Sequence, residues 1–323
     1  MEGNIEIKRY TPDQKLVWNE FVESSKNGTF LFNRDYMDYH SDRFIDNSFL
    51  IYRKGKLYSL LPANRKDDTL YSHQGLTYGG LIMNDKCTAE NILEVFESLT
   101  EELKREGIRK FVYKPVPHIY HRLPSEEDLY ALFRINAQLT VRNISSTIML
   151  NSLLRMNKDR REAIRRADRN GLVVKQSTDF EGFWRILEEN LNGRYGAKPV
   201  HNVNEIIKLA SLFPNQIKLW VANLNSNNQE DGIKMMAGVV CYYTPTTIHA
   251  QYISATSEGK RMGAVDLIIS HLIEKEKLEG GIKWIDLGTS NEDSGKYLNE
   301  SLIYQKQGFG GRAICYDTYE LNL

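Results

Sequence analysis

Apolar residues recur along this chain with two periods, and each switch between them marks a change of element. Over Asp13–Ser24, Leu16, Trp18, Phe21 and Val22 share one face at helical spacing, and Tyr36–Phe44 reads as a second short helix. A period of two then takes over. Phe49–Tyr52 and Leu57–Ala63 flank the turn residues Lys54–Gly55 and predict a hairpin. The segment TLYSHQGLTYGGLIM adds a strand and a glycine turn at Gly79–Gly80. Asn91–Arg105 returns to the helical period with Ile92, Val95, Phe96, Leu99 and Leu103, stops at Gly107, and gives way to a buried strand over Ile108–Lys114.

The same order then comes round again. Asp179–Asn190 (Phe180, Phe183, Trp184, Leu187) and Val203–Ser211 predict two helices; Lys218–Asn223 and Met235–Tyr243 predict a hairpin around the polar loop NLNSNNQEDGIK. His249–Ala255 is the next strand, Val265–Lys277 a helix stopped by Gly280–Gly281, and Lys283–Leu287 a strand. The residues themselves do not repeat, so the repeat is one of architecture. At 323 residues the chain exceeds the roughly 250–300 at which single cores stop growing. The pattern therefore predicts an α/β (α+β) protein of two tandem domains, 1–150 and 151–323, each a mixed, mostly antiparallel sheet flanked by helices. Between them lies a basic helix in which Arg161, Arg165 and Arg169 recur every four residues, with Ile164 and Ala167 facing inward and Gly171 as its stop. Ile303–Leu323 alternates enough to predict two strands around Gly308–Gly311, the last strands packing back on the first domain.

Composition narrows the partners. With 42 Lys+Arg against 42 Asp+Glu there is no global field to draw in nucleic acid, so a polyanion site has to be a local patch. Cys87, Cys241 and Cys315 are far apart, without metal or redox spacing, and read as reduced structural thiols. His40, His118 and His121 also lack ligand spacing, and no metal is expected. MEGNIEIKRY has no signal-peptide core, and no apolar run approaches the roughly 20 residues that span a bilayer. A cytoplasmic protein is expected.

Two segments carry a resemblance. ATSEGKRMGAVDLIISHLIE follows a predicted strand and opens a predicted helix, whose N-terminus offers N–H groups and a positive dipole end to phosphate. GIKWIDLGTSNEDSGKYLNESLIYQKQGFGG holds an Asp-x-Gly at a strand end and then a Lys closely followed by Phe-Gly: Asp286, Gly288, Lys306, Phe309 and Gly310. With the basic helix RREAIRRADRNGLVV and the loop NLNGRYGAKP, these resemble the Fem-type aminoacyltransferases and related acetyltransferases of polysaccharide gene clusters. The likeness spans about residues 155–320 well and the first half loosely. It implies two tandem GNAT-like domains of the acyl-CoA N-acyltransferase superfamily. The donor's pyrophosphate turn would then be Lys260, Arg261, Met262, Gly263 and Ala264, although Lys260 and Val265 depart from the GNAT pattern of Gln or Arg, two residues, Gly, one residue, Gly or Ala.

Acyl transfer to an amine needs a neutral nucleophile, stabilisation of the tetrahedral oxyanion and a proton donor for the leaving group. No covalent enzyme intermediate is required, and the chain has no Gly-x-Ser-x-Gly or Cys–His pattern. By the resemblance, Lys306 contacts donor phosphate or the developing charge. Asp286 positions an acceptor amine or takes its proton, or instead caps its strand end on the N–H groups of the Gly288–Ser290 turn. Tyr252 is a candidate general acid, or packs on its sheet. Arg194, with Tyr195 and Lys198 in the same loop, is placed to clamp a phosphate or carboxylate. His73 and Tyr78 are candidates to line an acceptor pocket in the first half, which is expected to be inert toward donor. The function these residues predict is acyl transfer from acetyl-CoA or another acyl-CoA to an amine of a cell-envelope precursor, a small-molecule or lipid-linked sugar or a peptide. Two alternatives stand beside it: transfer from aminoacyl-tRNA, whose phosphates the basic helix would meet, and a non-catalytic binding protein that kept the fold.

Overall fold

The computed structural model describes residues 5–196, 198–225 and 233–323, apart from the side chains of His40, Arg194, Tyr195, Asn225 and Ile233. The chain divides into two units: unit 1 is Met1–Ile144 with Asn291–Tyr297 and Ile314–Leu323, and unit 2 is Ser145–Ser290 with Leu298–Ala313.

Unit 1 begins with β1 (Ile5–Arg9), α1 (Lys15–Ser24) and α2 (Arg34–Met37), continues through β2 (Phe49–Arg53), β3 (Lys56–Leu61), β4 (Asn64–Lys66), β5 (Thr69–Tyr71) and β6 (Ile82–Met83), then α3 (Ala89–Arg105), β7 (Lys110–Tyr113) and α4 (Glu127–Arg134). Its first sheet has the order β1-β2-β3-β6, and β5 lies parallel to β7. The five apolar residues that marked α3 are all buried, and they pack with Phe49, Leu61, Phe111 and Tyr113. Each contributes about 1.5–3 kcal/mol when it leaves water. The helix expected over Tyr36–Phe44 is shorter and earlier. Asn33 caps α2 by accepting from the Asp35 N–H, and the chain tightens into a 3-10 turn over Asp38–His40.

The strand β8 (Gln138–Met149) leads out of unit 1 and supplies the first strand of unit 2. Then follow α5 (Lys158–Arg169), β9 (Leu172–Ser177), α6 (Phe180–Tyr195), α7 (Val203–Leu212), β10 (Ile217–Asn225), β11 (Ile233–Tyr243), β12 (Thr247–Ala255), α8 (Ser257–Met262), α9 (Ala264–Glu279) and β13 (Trp284–Thr289). A short pair, β14 (Asn291–Glu292) and β15 (Tyr297–Leu298), precedes α10 (Glu300–Gln307) and β16 (Arg312–Asn322). Within unit 2 the strand order is β8-β13-β12-β11-β10-β9, antiparallel except for the parallel pair β12/β13. On one side α9 buries Ile268, Ile269, Leu272 and Ile273 against Val239, Ile248, Ala250 and Ile285. Around α6, Phe183 and Trp184 are buried, their rings edge to face at 5.8 Å.

The end of the chain departs from expectation. Only one strand lies there, β16; the residues up to Gln307 form α10 instead. Asn299 caps this helix by accepting from the Leu302 N–H, while Ile303 alone is buried, so no apolar stripe announces the helical period. The inward residues of α5 are Ala163 and Ala167, with Ile164 half-buried. All three cysteines are free thiols. Among the described residues no helix is long and apolar enough to cross a membrane, and no group of three His, Cys, Asp or Glu is placed to hold a metal.

Candidate active site

The strands β12 and β13 pair only over Thr247–Trp284, Ile248–Ile285 and His249–Asp286, although both run on beyond that point. On its other edge β12 carries a bulge, its register to β11 shifting between Val240 and Cys241, so Gln251 is an extra residue that bends the strand. The two parallel strands therefore separate at their carboxyl ends, where open α/β sheets place their ligands.

At the parting point stands Asp286, fully enclosed. Its Oδ1 accepts from the Ser145 hydroxyl, from the Gly288 N–H at 3.0 Å and, more distantly, from Thr147 Oγ1 at 3.4 Å. Its Oδ2 lies 2.9 Å from His249 Nδ1. Gly288 turns the chain here with φ of +79°, a conformation that strains any residue with a Cβ. Lys306, in the last turn of α10, reaches back to this turn and donates to the carbonyls of Gly288 at 2.9 Å and Thr289 at 2.7 Å. An ammonium has three N–H donors, so one remains for a ligand oxygen. Burial lowers the Lys306 ammonium to about 8, with Asp286 pulling the other way. The structure thus brings Asp286 and Lys306 to one turn.

Tyr252, three residues beyond His249, enters a different cluster. Its hydroxyl lies 2.5 Å from His201 Nδ1, its ring meets Trp184 edge-on at 5.1 Å, and Trp184 Nε1 donates to the His201 carbonyl at 3.2 Å. Burial pushes the phenol up to about 12, so it stays neutral at physiological pH.

The segment expected to bind donor phosphate is interrupted. The six-residue α8 ends at Gly263, whose φ is +87°, and α9 begins with the fully buried Ala264. Gly263 is required twice over, because a Cβ there would sit 2.4 Å from the Ala163 carbonyl of α5. Met262 packs on the core, Arg261 is exposed, and Lys260 donates to Asn190 Oδ1, while the amide of Asn190 donates to the Ala255 carbonyl at the end of β12. A cavity of about 440 Å³ lies beside this junction, lined by Arg160, Arg166, Lys260, Asp159, Glu162, Asp266 and Gln305 among others. In its wall Arg160 Nη1 donates to Asp266 Oδ1 at 2.7 Å. Burial raises the Asp266 carboxyl against the pull of Arg160. A carboxylate of the chain itself thus occupies the first turn of α9, where the helix dipole favours an anion.

The remaining candidates lie elsewhere. Lys198 is exposed, and the side chains of Arg194 and Tyr195 lie outside the described residues. His73 and Tyr78 belong to unit 1. His73 is buried with φ of +73° and its ring meets Phe44, which lines a cavity of about 570 Å³ with Arg43, Arg65, Lys66 and Gln74. Tyr78 is buried among Phe32 and Tyr120. Sequence reasoning missed His249, Ser145, His201 and the Arg160–Asp266 pair. A signal for His249 existed: strand–helix–strand units give parallel neighbours, and aligning the two strands predicted there brings His249 near Asp286.

Residues 155–297 match the family model described as an acetyltransferase (GNAT) domain. Solved structures align over the whole length at low identity. FemX shares 14% identity with a TM-score of 0.68, covering 98% of this chain and 97% of its own. The C-terminal domain of a putative lysylphosphatidylglycerol synthetase from Agrobacterium fabrum shares 10% with a TM-score of 0.61, covering 97% and 92%. A tandem GNAT protein from the clavulanic acid biosynthesis pathway shares 10% with a TM-score of 0.53, covering 98% of each. No curated protein matches the chain. The chain has the tandem GNAT fold, and most of the matched range lies in its second unit.

Proposed function

We propose that the protein is an acyltransferase that moves an acyl group from an acyl-CoA thioester to an amine of a cell-envelope precursor, an amino sugar or a peptide. The observation that carries this reading is the opening between β12 and β13, with Lys306 fixed at its mouth and one N–H left to give. A cation held by two carbonyls is preorganised for the oxyanion that develops when an amine adds to an acyl carbon. Tyr252, kept neutral by burial, is a hydrogen-bond donor for the departing sulfur. The cavity with Arg160, Arg166 and Lys260 supplies cations for donor phosphates. The acceptor's class follows from the Fem-type resemblance, and the basic cavity of unit 1 supports an acceptor bearing phosphate or carboxylate.

One observation favours a second donor, aminoacyl-tRNA. Asp266 already fills the first turn of α9, so a CoA pyrophosphate has to displace it or bind without those N–H groups. Arg165, Arg166 and Arg169 of α5 stand exposed nearby for a longer polyanion.

Calorimetric titration separates the two donors. Acetyl-CoA and longer acyl-CoAs are expected to bind at micromolar concentration and to weaken in Lys306→Ala and Lys260→Ala. No binding to any CoA, with tRNA binding that falls steeply as salt rises, replaces the donor with aminoacyl-tRNA.

A further inference from the structure

We propose that His249 is the base that takes the proton from the acceptor amine, with Asp286 as the residue that positions it; this rests on the acyl-transfer reading above. The carboxylate is the residue that sequence motifs single out, yet it has no exposed surface. Its oxygens are taken by Ser145, Thr147, the Gly288 N–H and His249. A carboxyl group held by that many partners is an anchor, out of reach of any substrate. The group it anchors is the imidazole. With Nδ1 donating to Asp286 Oδ2, the lone pair of the neutral ring falls on Nε2.

Placement gives this pairing a use. His249 is the last residue of the parallel ladder, so its ring stands where β12 and β13 part, with 14% of its side chain exposed. A methyl group set on Gly288 would lie 3.8 Å from His249 Cε1 and 3.8 Å from Lys306 Nζ. Base and cation thus flank one point, no more than twice that distance apart, which suits a tetrahedral centre with its nitrogen toward one and its oxygen toward the other. Among the charged and titratable groups facing the ring are Asp286 of β13, Lys306 of α10 and, across the antiparallel ladder, Tyr242 of β11.

The step balances without further reagents. The amine nitrogen bonds to the acyl carbon of the thioester, and the carbonyl electron pair moves to oxygen beside Lys306. His249 Nε2 takes the proton from the new ammonium. Collapse restores the carbonyl and breaks the carbon–sulfur bond, the thiolate leaving with the electron pair and the imidazolium returning its proton to that sulfur or to water.

The test is the pH profile of kcat/KM for transfer to an amine acceptor in wild type, His249→Gln, His249→Gly with added imidazole, and Asp286→Asn. We expect His249→Gln to lose the ascending limb and fall about 10²–10⁴-fold at neutral pH, with donor KM unchanged. Imidazole restores part of the His249→Gly rate, which a merely structural histidine would not allow, and Asp286→Asn keeps a limb but displaces it. Long-range ¹H–¹⁵N spectra of the resting protein give a readout without substrate: the proton of the neutral ring belongs on Nδ1. Wild-type turnover with the limb intact in His249→Gln, or a proton on Nε2, overturns the base alone. No turnover by wild type with any amine overturns the acyl-transfer reading itself.

Discussion

Lys306 is held in a state between two demands. Its ammonium is tied to the Gly288 and Thr289 carbonyls, which favour the charged form, while burial lowers it to about 8. If it works as a cation, transfer must depend on its protonated form. The descending limb of the rate profile is therefore expected near pH 8, with activity lost as pH rises through that value. Lys306→Arg, whose guanidinium does not titrate in this range, is expected to abolish the limb even where its longer fork lowers the rate. Lys306→Ala is expected to reduce kcat about 10²–10³-fold, the scale of losing one oxyanion donor. Initial rates between pH 6 and 10 decide this, and a limb that persists in Lys306→Arg assigns it to another group.

Between elements, the contact beside the basic cavity of unit 2 is α5 on α9. Ala163 backs onto Gly263 so closely that only glycine fits, and Arg160 reaches Asp266 beside it. Both members of that ion pair are largely withdrawn from water, so removing one strands the other. Asp266→Leu is expected to cost about 3–5 kcal/mol. Arg160→Met together with Asp266→Leu is expected to recover most of that loss, since an apolar pair has no desolvation to repay. Urea midpoints measure both, and a double variant no better than the single one would mean that the pair is worth more than its apolar replacement. This contact also shows what a sequence conceals. The helical stripe of α3 is plain because all five of its marked residues are buried, whereas α10 buries Ile303 alone and imitates a strand. The first half of β8 is mostly exposed and has no alternation to read. At the site, Asp286 and Lys306 stand out through a short motif. His249 and Asp286 lie 37 residues apart and meet only through strand register, and Arg160 and Asp266 lie 106 apart and meet only through helix packing.

Across the whole molecule, chain order and structural membership disagree at the C-terminus. The strand β16 follows the last helix of unit 2, yet Ile314–Leu323 belongs to unit 1. There it pairs antiparallel with β7, Tyr319 opposite Tyr113 and Asn322 opposite Lys110. Tyr316 shares a buried hydrogen bond of 2.8 Å with Tyr120, and Leu321 packs on the core that α3 fills. The core of unit 2 draws its residues from Ile148 to Phe309 and includes nothing from this strand. Truncation after Ala313 is therefore expected to damage the unit that is far away in sequence. Hydrogen exchange followed by mass spectrometry should show β5, β7 and α3 losing protection, while β12, β13 and α9 keep theirs. Loss of protection in β12 and β13 to the same degree would mean that the two units unfold as one. The opposite result would show that unit 2 keeps its fold without the strand that completes unit 1, and Lys306, seven residues before Ala313, could then be titrated with acyl-CoA in the truncated chain.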